Sequence, residues 1–278
     1  MDALNRREDE IRPLRDVLRI CRKHTDLIWA MARREIADRY AGQALGMFWA
    51  FCHPIFLVGL YVFVFAFVFR QKVGGTVDLP LDYTAYLLSG MVAWLGIQDG
   101  LVKSCSIITS NAALVKQTVF PMEVLVIKSM AVSLFPQLVS LTLLVVYVLF
   151  THGSLHLTYA LLPVLVVVQL LGMVGLAFIL APVGAYIRDI KDVVQIFSAA
   201  GVYLLPVFYL PAWVPELFRP LLYLNPFSYI IWCYQDALFF GRFEHPWAWL
   251  VTICTNTIVF WLGYRVFRKL KPSLGNLL

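Results

Sequence analysis

The chain lacks the common sequence motifs through which enzymes hold nucleotides, catalytic zinc or acyl groups. It contains no Gly-Lys dipeptide, so the phosphate-binding loop GxxxxGK[ST] cannot be present. The metalloprotease motif HExxH and the hydrolase motif GxSxG are also missing, and the five cysteines form no CxxC pair. We therefore predict no catalytic, metal or cofactor site in this chain, and we interpret the cysteines as small hydrophobic residues.

Charged residues are scarce as well, at 14% of the chain, whereas 60% of the residues are hydrophobic. A helix that crosses a bilayer needs about 20 apolar residues, because the hydrocarbon core is about 30 Å thick. Six stretches meet or approach this length: residues 45–69, 83–102, 124–150, 157–187, 193–210 and 247–264. The sequence therefore predicts an all-α polytopic membrane protein with six transmembrane helices.

The basic residues fall almost entirely into segments on one side of these spans. When the spans are assigned alternately outward and inward, 19 of the 23 Lys and Arg residues share a face. The four exceptions are Arg70, Lys72, Arg219 and Arg242. Because basic segments are retained in the cytoplasm during insertion, we predict that both termini are cytoplasmic. The N-terminal segment would then cover 1–44, the transmembrane domain 45–268 and the tail 269–278.

The N-terminal segment is charged and yet periodic. Apolar residues recur near helical spacing at Leu14, Leu18, Cys21, Ile28 and Met31, with basic residues between them. This pattern predicts an amphipathic helix in the cytoplasmic membrane interface, and a solvated cytosolic helix is the alternative. Ten Lys/Arg and eight Asp/Glu among the first 40 residues do not fit a cleavable signal peptide.

After the predicted span 193–210, a second uncharged run follows at 220–235. The number of crossings before the last span is therefore ambiguous. If this run were a full span, the chain would cross seven times and its basic tail would lie outside, against the charge rule. Five prolines also divide the region into short pieces: Pro206, Pro211, Pro215, Pro220 and Pro226. We predict a re-entrant helical gate at 211–236 that enters from the outer face, because irregular backbone at membrane depth must pack within protein or line a cavity.

Few ionisable groups lie in the predicted spans, and those few lie near the cytoplasmic ends. Asp99 is four residues before Lys103, a spacing that lets the two side chains pair on one helix face. We interpret Asp99 as a charge neutralised near the headgroups, with a proton relay as the alternative. Since the sequence shows neither an energy source nor a catalytic centre, we expect another polypeptide to power whatever this chain transports.

Aromatic residues, 15% of the chain, form two stripes on the first span. At about 100° per residue, one stripe comprises Tyr61, Phe65 and Phe69. A nearly opposite stripe comprises Phe56, Phe63 and Phe67. We assign the first stripe to a channel wall, because flat apolar rings suit the C–H faces of a sliding polysaccharide. The alternative is an interfacial aromatic belt with ordinary packing.

Several sequence stretches resemble the permease subunit of type-2 ABC exporters for bacterial O-antigen, capsular polysaccharide and teichoic acid. The first is RYAGQALGMFWAFCHP at 39–54. The second is SNAALVK at 110–116, followed by FPMEVL at 120–125. The third is RDI at 188–190, and the fourth is LNPFSY at 224–229. Two positions depart from the family pattern, because Met122 is often basic there and His53 is often Asn.

The resemblance implies a homodimer in the bacterial cytoplasmic membrane, bound to two copies of an ABC ATPase that would hold the ATP and Mg²⁺. It also implies six spans, an interface helix, outer gate helices between spans five and six, and a lipid-linked polysaccharide as substrate. The coupling region at 104–122 would contact the ATPase through Asn111, Leu114, Val115 and Lys116. The outer gate would pivot near Asn225, Pro226, Phe227 and Tyr229. Membrane lipids would be further partners, and no motif indicates nucleic acid.

Two other functions stay open at this point. A type-2 exporter of a drug or small lipid would share the topology but would need no aromatic channel wall. An integral-membrane enzyme of lipid-linked sugar metabolism would need carboxylates or histidines that converge at the interface, and the sequence shows no such cluster.

Overall fold

The computed structural model describes residues 13–68, 80–116 and 120–277, and no β-strand occurs within these ranges. We number the α-helices in chain order. Two helices precede the first candidate span: α1 Pro13–Lys23 and α2 Thr25–Arg39. The remaining helices are α3 Trp49–Val62, α4 Tyr83–Ser104, α5 Ile107–Ser110, α6 Ala112–Val115, α7 Met122–His152, α8 Leu162–Tyr186, α9 Ile190–Leu204, α10 Arg219–Leu224, α11 Pro226–Gln235 and α12 Pro246–Leu277.

Short irregular helices extend several of these elements. A 3₁₀ turn precedes each of α3 and α8, and a third lies before α10. A π-helical stretch, Phe63–Val68, continues α3, and another, Asp236–Phe240, continues α11. The all-helical class predicted from the sequence is therefore confirmed for the described part of the chain.

Five helical segments of the described structure are long and apolar enough to cross a membrane. They are Gly46–Val68, Tyr83–Ser104, Met122–His152, Leu157–Tyr186 and Pro246–Leu274. Each corresponds to one of the six predicted spans. The other predicted span, 193–210, overlaps α9, whose 15 residues begin at Ile190 and end at Leu204. Leu205 is extended because the ring of Pro206 clashes with a helical conformation of the residue before it. Pro206 also has no amide hydrogen to continue the helix, which therefore stops before the predicted boundary.

Helix α4 lies at the centre of the molecule. Its most apolar window is 78% buried, and it packs against α7, α8, α9 and α11. Trp94, near its midpoint, is fully buried and donates from its indole N–H to the backbone oxygen of Ser198 in α9 at 3.2 Å. A sequence of moderate polarity therefore forms the core of the fold.

Helices α8 and α12 pack more extensively than any other pair in the described structure. Two glycines permit this close approach. A Cβ built on Gly263 would lie 2.0 Å from the carbonyl oxygen of Gly175, and one built on Gly175 would lie 2.5 Å from the Cα of Phe260. Small residues at such crossings let helix backbones touch, which is a common source of helix association in membranes.

The two ends of the helical core differ in charge. Helices α1, α2, α5 and α6, together with the last turns of α12, lie at one end, which we call the basic end. The opposite end carries the turns at 80–82, 153–156 and 241–245, and we call it the distal end. These names describe the fold alone and do not depend on the orientation in the membrane.

Candidate functional site

The predicted coupling segment lies at the basic end, where α5 and α6 form two short turns of helix. The Asn111 side chain joins them, because its Nδ2 donates to the backbone oxygen of Ile107 at 2.8 Å. A cavity of about 680 Å³ separates this segment from α2, and Asn111 and Leu114 belong to its wall. Two of the four predicted coupling residues therefore line this cavity.

The other two coupling residues differ sharply in exposure. Val115 is only 3% exposed and packs in the same buried cluster as Ile107 and Leu125, whereas Lys116 is exposed. The side chain of Val115 therefore faces the protein's own core, contrary to the expectation that it projects into a partner. One turn of helix cannot present Leu114 and Val115 to the same side, since successive residues are about 100° apart.

A group of ion pairs binds α2 to the core at this end. Glu35 in α2 accepts from both Lys103 of α4 and Lys128 of α7. Burial alone would raise the pKa of Glu35, but the two ammonium groups hold it below its ordinary value. Because one carboxylate bridges two helices, α2 is positioned relative to both α4 and α7.

A second contact of the same kind joins the end of α2 to α4. Arg39 donates from Nη2 to Asp99, with distances of 3.0 and 3.3 Å to the two carboxylate oxygens. Burial would lower the pKa of Arg39, but the Asp99 carboxylate raises it above the ordinary value. Although their spacing would let Asp99 and Lys103 pair, each forms its ion pair with a residue of α2. The contact with Arg39 agrees with the interpretation of Asp99 as a neutralised charge.

The end of α12 is held by a further set of ion pairs. Lys271 donates to both oxygens of Glu123 in α7, at 2.6 and 2.8 Å, and the Glu123 side chain is only 6% exposed. Arg268 lies 3.6 Å from Asp16 in α1. The N-terminal helices, the start of α7 and the end of α12 are thus joined by ion pairs into one charged cluster at the basic end.

The aromatic stripes of the first span divide between the protein and its surface. Tyr61 and Phe65 pack against the core, with stacked rings 6.3 Å apart, and Phe65 also contacts Tyr83 at 5.8 Å. Phe69, the third member of this stripe, lies outside the described residues. The opposite stripe is exposed, at 72% for Phe56, 56% for Phe63 and 65% for Phe67.

The predicted gate residues form a helical hairpin that reaches the interior. Asn225 caps α11 by accepting from the backbone N–H of Phe227 at 3.0 Å. The Phe227 ring contacts Trp94, so the hairpin turn lies beside the midpoint of α4. The Tyr229 hydroxyl donates to the backbone oxygen of Tyr223 in α10 at 2.7 Å. From this turn α11 continues through the core toward the distal end.

A buried carboxylate, which sequence reasoning missed, fastens the hairpin to α12. Asp236 is 1% exposed and accepts three hydrogen bonds at 2.9–3.0 Å. The donors are the backbone N–H and Nδ1 of His245 and the indole N–H of Trp249. The sequence does hold a sign of this site, because Asp236 is the only acidic residue of an apolar run and lies at the boundary of the predicted gate.

A second polar cluster, also missed, lies in the core between α7, α8 and α11. Gln137 and Gln169 exchange amide hydrogen bonds of 2.9 and 2.7 Å, and the Tyr234 hydroxyl donates to Gln169 at 2.6 Å. All three side chains are at most 1% exposed. Reciprocal bonding satisfies the amides without water, which links the hairpin to two candidate spans.

No group of three or more His, Cys, Asp or Glu side chains suited to a metal ion occurs among residues 13–68, 80–116 and 120–277. The polar clusters described above are instead occupied by their own partners. Their chemistry is that of positioning helices rather than of activating a substrate.

Comparison with known proteins gives one consistent result. Residues 26–239 match the family described as ABC-2 type transporter. The chain is 25% identical over 256 residues to the O-antigen export system permease protein RfbA of Klebsiella pneumoniae, covering 91% of this chain and 95% of that protein. A permease of the same name from Myxococcus xanthus is 24% identical over the same shares of the two chains.

The family match contains α3 to α11, the coupling segment and the hairpin, so it includes nearly every feature described above. It confirms the resemblance inferred from the sequence motifs. The family match covers far more than half of the chain. The chain therefore belongs to the ABC-2 type transporter family and is a multi-pass membrane subunit of a transporter.

Proposed function

We propose that this chain is the channel-forming permease of an ATP-driven exporter that moves a lipid-linked cell-surface polysaccharide, of O-antigen or capsule type, across the cytoplasmic membrane. The observation that carries this proposal is similarity to O-antigen export permeases over 91% of the chain. The sequence offers no nucleotide-binding loop, so the energy would come from two copies of a separate ABC ATPase.

The proposed topology has six crossings, with the basic end in the cytoplasm. Helix α9 and the buried residues after it, among them Leu205 and Val207, would form the fifth crossing. The hairpin of α10 and α11 would enter from the outside and turn at Asn225–Pro226. Helices α1 and α2 would lie in the cytoplasmic interface. The retention of basic segments in the cytoplasm supports this arrangement.

Cysteine labelling tests this topology in a variant that lacks the five native cysteines. Positions near Gly75, His152 and Glu244 should react from outside, and positions near Asn111, Lys191 and Ser273 only after the membrane is permeabilised. Labelling of Ser273 from outside would contradict six crossings and would favour a seventh.

A homodimer is part of the proposal, because six helices hardly enclose a channel wide enough for a glycan. The exposed apolar faces support it. Phe56 in α3 is 72% exposed, and Ile196 and Tyr203 in α9 are 71% and 70% exposed. These faces would contact either lipid or the second copy. Tyr61, Phe65 and Phe69 keep their assignment to the channel wall within this proposal.

The ATPase would act at the segment that comprises α5 and α6. Leu114, in the cavity wall, and the exposed Lys116 are the residues through which we expect contact with the ATPase. If binding of the ATPase also displaces α2, which forms the other wall of this cavity, the displacement would reach α4 and α7. The ion pairs of Glu35 and Arg39 would transmit it. Such a route needs no flexible linker between the contact and the spans.

The function is tested by co-purification with a candidate ABC ATPase from the same organism, followed by ATPase assays with defined lipid-linked glycans. Stimulation by the glycans, and loss of surface polysaccharide on deletion of the gene, would support the proposal. Drug resistance on overexpression without any effect of glycans would instead favour a drug exporter. Leu114→Asp should abolish binding of the ATPase while membrane insertion is kept.

A further inference from the structure

A second cavity, of about 570 Å³, lies among the end of α2 and helices α3, α4, α7 and α9. It is distinct from the coupling cavity and is not part of the gate or of the aromatic stripes. Its volume falls within the range of ordinary ligand pockets, which is about 300–1,000 Å³. The proposed coupling route uses the Arg39–Asp99 ion pair in its wall, but no function described above uses the space itself.

The lining of this cavity changes character from one end to the other. The part toward the basic end is polar and is formed by Arg39, His53, Gln98, Asp99, Lys191 and Gln195. The deeper part is apolar and includes Leu57, Leu95 and Pro136. Leu95 and Asp99 are one helical turn apart on α4, about 6 Å along the axis. A ligand that fills the cavity must therefore be amphiphilic.

The polar part also has a charge imbalance. Arg39 is compensated by Asp99 at 3.0 Å, which leaves the ammonium group of Lys191. Lys191 forms no ion pair with any residue in the described ranges 13–68, 80–116 and 120–277. One Arg and one Lys against one Asp give the ionisable lining a net charge of +1. His53 adds a ring nitrogen, and the guanidinium has further N–H groups beyond its contact with Asp99.

We propose that this cavity binds the phosphate or diphosphate headgroup of an amphiphile, held by Lys191, Arg39 and His53, while its chain follows the apolar wall. Lys191 is exposed at the rim of the cavity and Arg39 lies beside it at the basic end, which the proposed topology puts at the cytoplasmic headgroups. An ammonium and a guanidinium there would select phosphate oxygens, because lipid phosphates are the abundant anions at a membrane surface. The proposal rests on the proposed function in one respect: the amphiphile is the lipid anchor of the exported glycan rather than a bulk phospholipid.

The site is tested with the full chain in nanodiscs of zwitterionic phosphatidylcholine, titrated with farnesyl diphosphate. Farnesol has the same chain without the phosphates and serves as the ligand control. Lys191→Gln removes the unpaired ammonium, and Lys269→Gln removes an exposed lysine of α12 that lines neither cavity. We expect the first variant to bind the diphosphate about tenfold more weakly, as for loss of one charge-assisted hydrogen bond. The second should bind like the wild type.

Equal binding by the Lys191→Gln variant and the wild type, or equal binding of farnesol and its diphosphate, would overturn the site. Phosphatidylglycerol added to the nanodiscs distinguishes the two sources of phosphate. If stoichiometric phosphatidylglycerol displaced farnesyl diphosphate, the site would be assigned to bulk phospholipid and the link to the glycan anchor would be overturned.

Glycan export is measured separately in cells. Wild-type export together with unchanged binding by Lys191→Gln would overturn the headgroup site and leave the proposed function standing. Lys191-dependent diphosphate binding without any glycan export would refute the proposed function and support an anionic-amphiphile site alone.

Discussion

Helices α3 and α4 are consecutive candidate spans, and they show opposite relations between hydropathy and burial. The segment containing α3 has a mean hydropathy of 2.3 and is 11% buried, whereas α4 has a mean hydropathy of 1.2 and is 78% buried. In water the more apolar helix would be the buried one. In a membrane the lipid is as apolar as leucine, so burial selects small and polar residues that pack and hydrogen-bond.

The residues of the two helices follow this rule in detail. Residues 46–68 contain no Asp, Glu, Lys or Arg, and most of their large side chains are exposed. Helix α4 contains Asp99 and Lys103, each of which pairs with a residue of α2. The comparison therefore predicts that matched substitutions will have large effects in α4 and small effects in α3.

The largest difference is expected for a glycine in each helix. A Cβ on Gly96 of α4 would lie 1.8 Å from Oε1 of Gln137, whereas a Cβ on Gly59 of α3 meets nothing within 4 Å. Gln137 cannot move aside without breaking its bonds to Gln169. We expect Gly96→Ala to destabilise the protein by about 3 kcal/mol, the upper range for overpacking, and Gly59→Ala to have little effect. Thermal unfolding in detergent measures both, and equal melting temperatures would contradict the contrast.

Removal of the carboxylate that anchors α4 should have the next largest effect. Glu35→Gln leaves Lys103 and Lys128 without their shared anion, which should cost about 1–3 kcal/mol at neutral pH. The lowered pKa of Glu35 means that its ion pairs stabilise the fold above the pKa of the unfolded chain. That stability is lost as the pH falls through the lower, folded-state pKa.

The pH dependence separates this effect from a general loss of packing. The unfolding free energy of the wild type should fall as the pH is lowered. Glu35→Gln should be less stable at neutral pH, and its unfolding free energy should fall less steeply on acidification. Glu216→Gln is the control, because this residue's side chain is 91% exposed. If Glu35→Gln lost stability on acidification as steeply as the wild type, the assignment of this pH dependence to Glu35 would be contradicted.

The buried amide pair should matter less than the charges. Gln137→Leu leaves Gln169 and Tyr234 with fewer partners, and polar bonds within membrane helix bundles are worth about 0.6–1.7 kcal/mol. We expect a loss of about 1 kcal/mol, because Tyr234 still donates to Gln169. Leu138→Ala, at a neighbouring position that is 44% exposed, serves as the control. A larger loss in the control than in Gln137→Leu would contradict the importance of the network.

Hydropathy predicted the helical class and most span positions, since long apolar runs leave few alternatives in a chain of this composition. The end of α9 departed from prediction because Pro206 stops the helix that apolarity alone would have continued. The partners of Asp99 and Lys103 were not predictable from spacing. Charges of α2, distant in sequence, outcompete the local pairing once the helices pack.

The candidate sites were predictable to different degrees. Motif resemblance singled out the segment at 110–116 and the turn at Asn225–Pro226, where the structure has short helical turns and a hairpin, and the family match supports the resemblance. Their roles in coupling and gating stay predictions. The resemblance could not give the orientation of Val115, because the direction of a side chain on one turn of helix depends on what the turn packs against. Asp236 and Gln137 were missed since their donors, among them Trp249 and Gln169, become neighbours only through the fold.

The smallest difference is expected between the two aromatic stripes of the first candidate span, at residues of the π-helical stretch that continues α3. Phe65 contacts Tyr83 and Phe208, whereas Phe63 is 56% exposed and contacts Phe67. We expect Phe65→Ala to lower stability by about 0.5 kcal/mol, far less than for a fully buried Phe because lipid can cover this partly exposed position, and Phe63→Ala to leave it nearly unchanged. Thermal unfolding of the two variants gives this comparison directly.

The two aromatic stripes can also be compared by measuring dimer assembly and glycan export. If the exposed stripe contacts a second copy, Phe63→Ala combined with Phe67→Ala should weaken the dimer in detergent while the fold stays intact. If Tyr61 and Phe65 line the channel, replacing both with Leu, which keeps apolar volume but removes the rings, should impair export of long glycans more than of short ones. Normal export by that variant would mean that the stripe serves to pack the first candidate span against Tyr83 and does not form a channel wall.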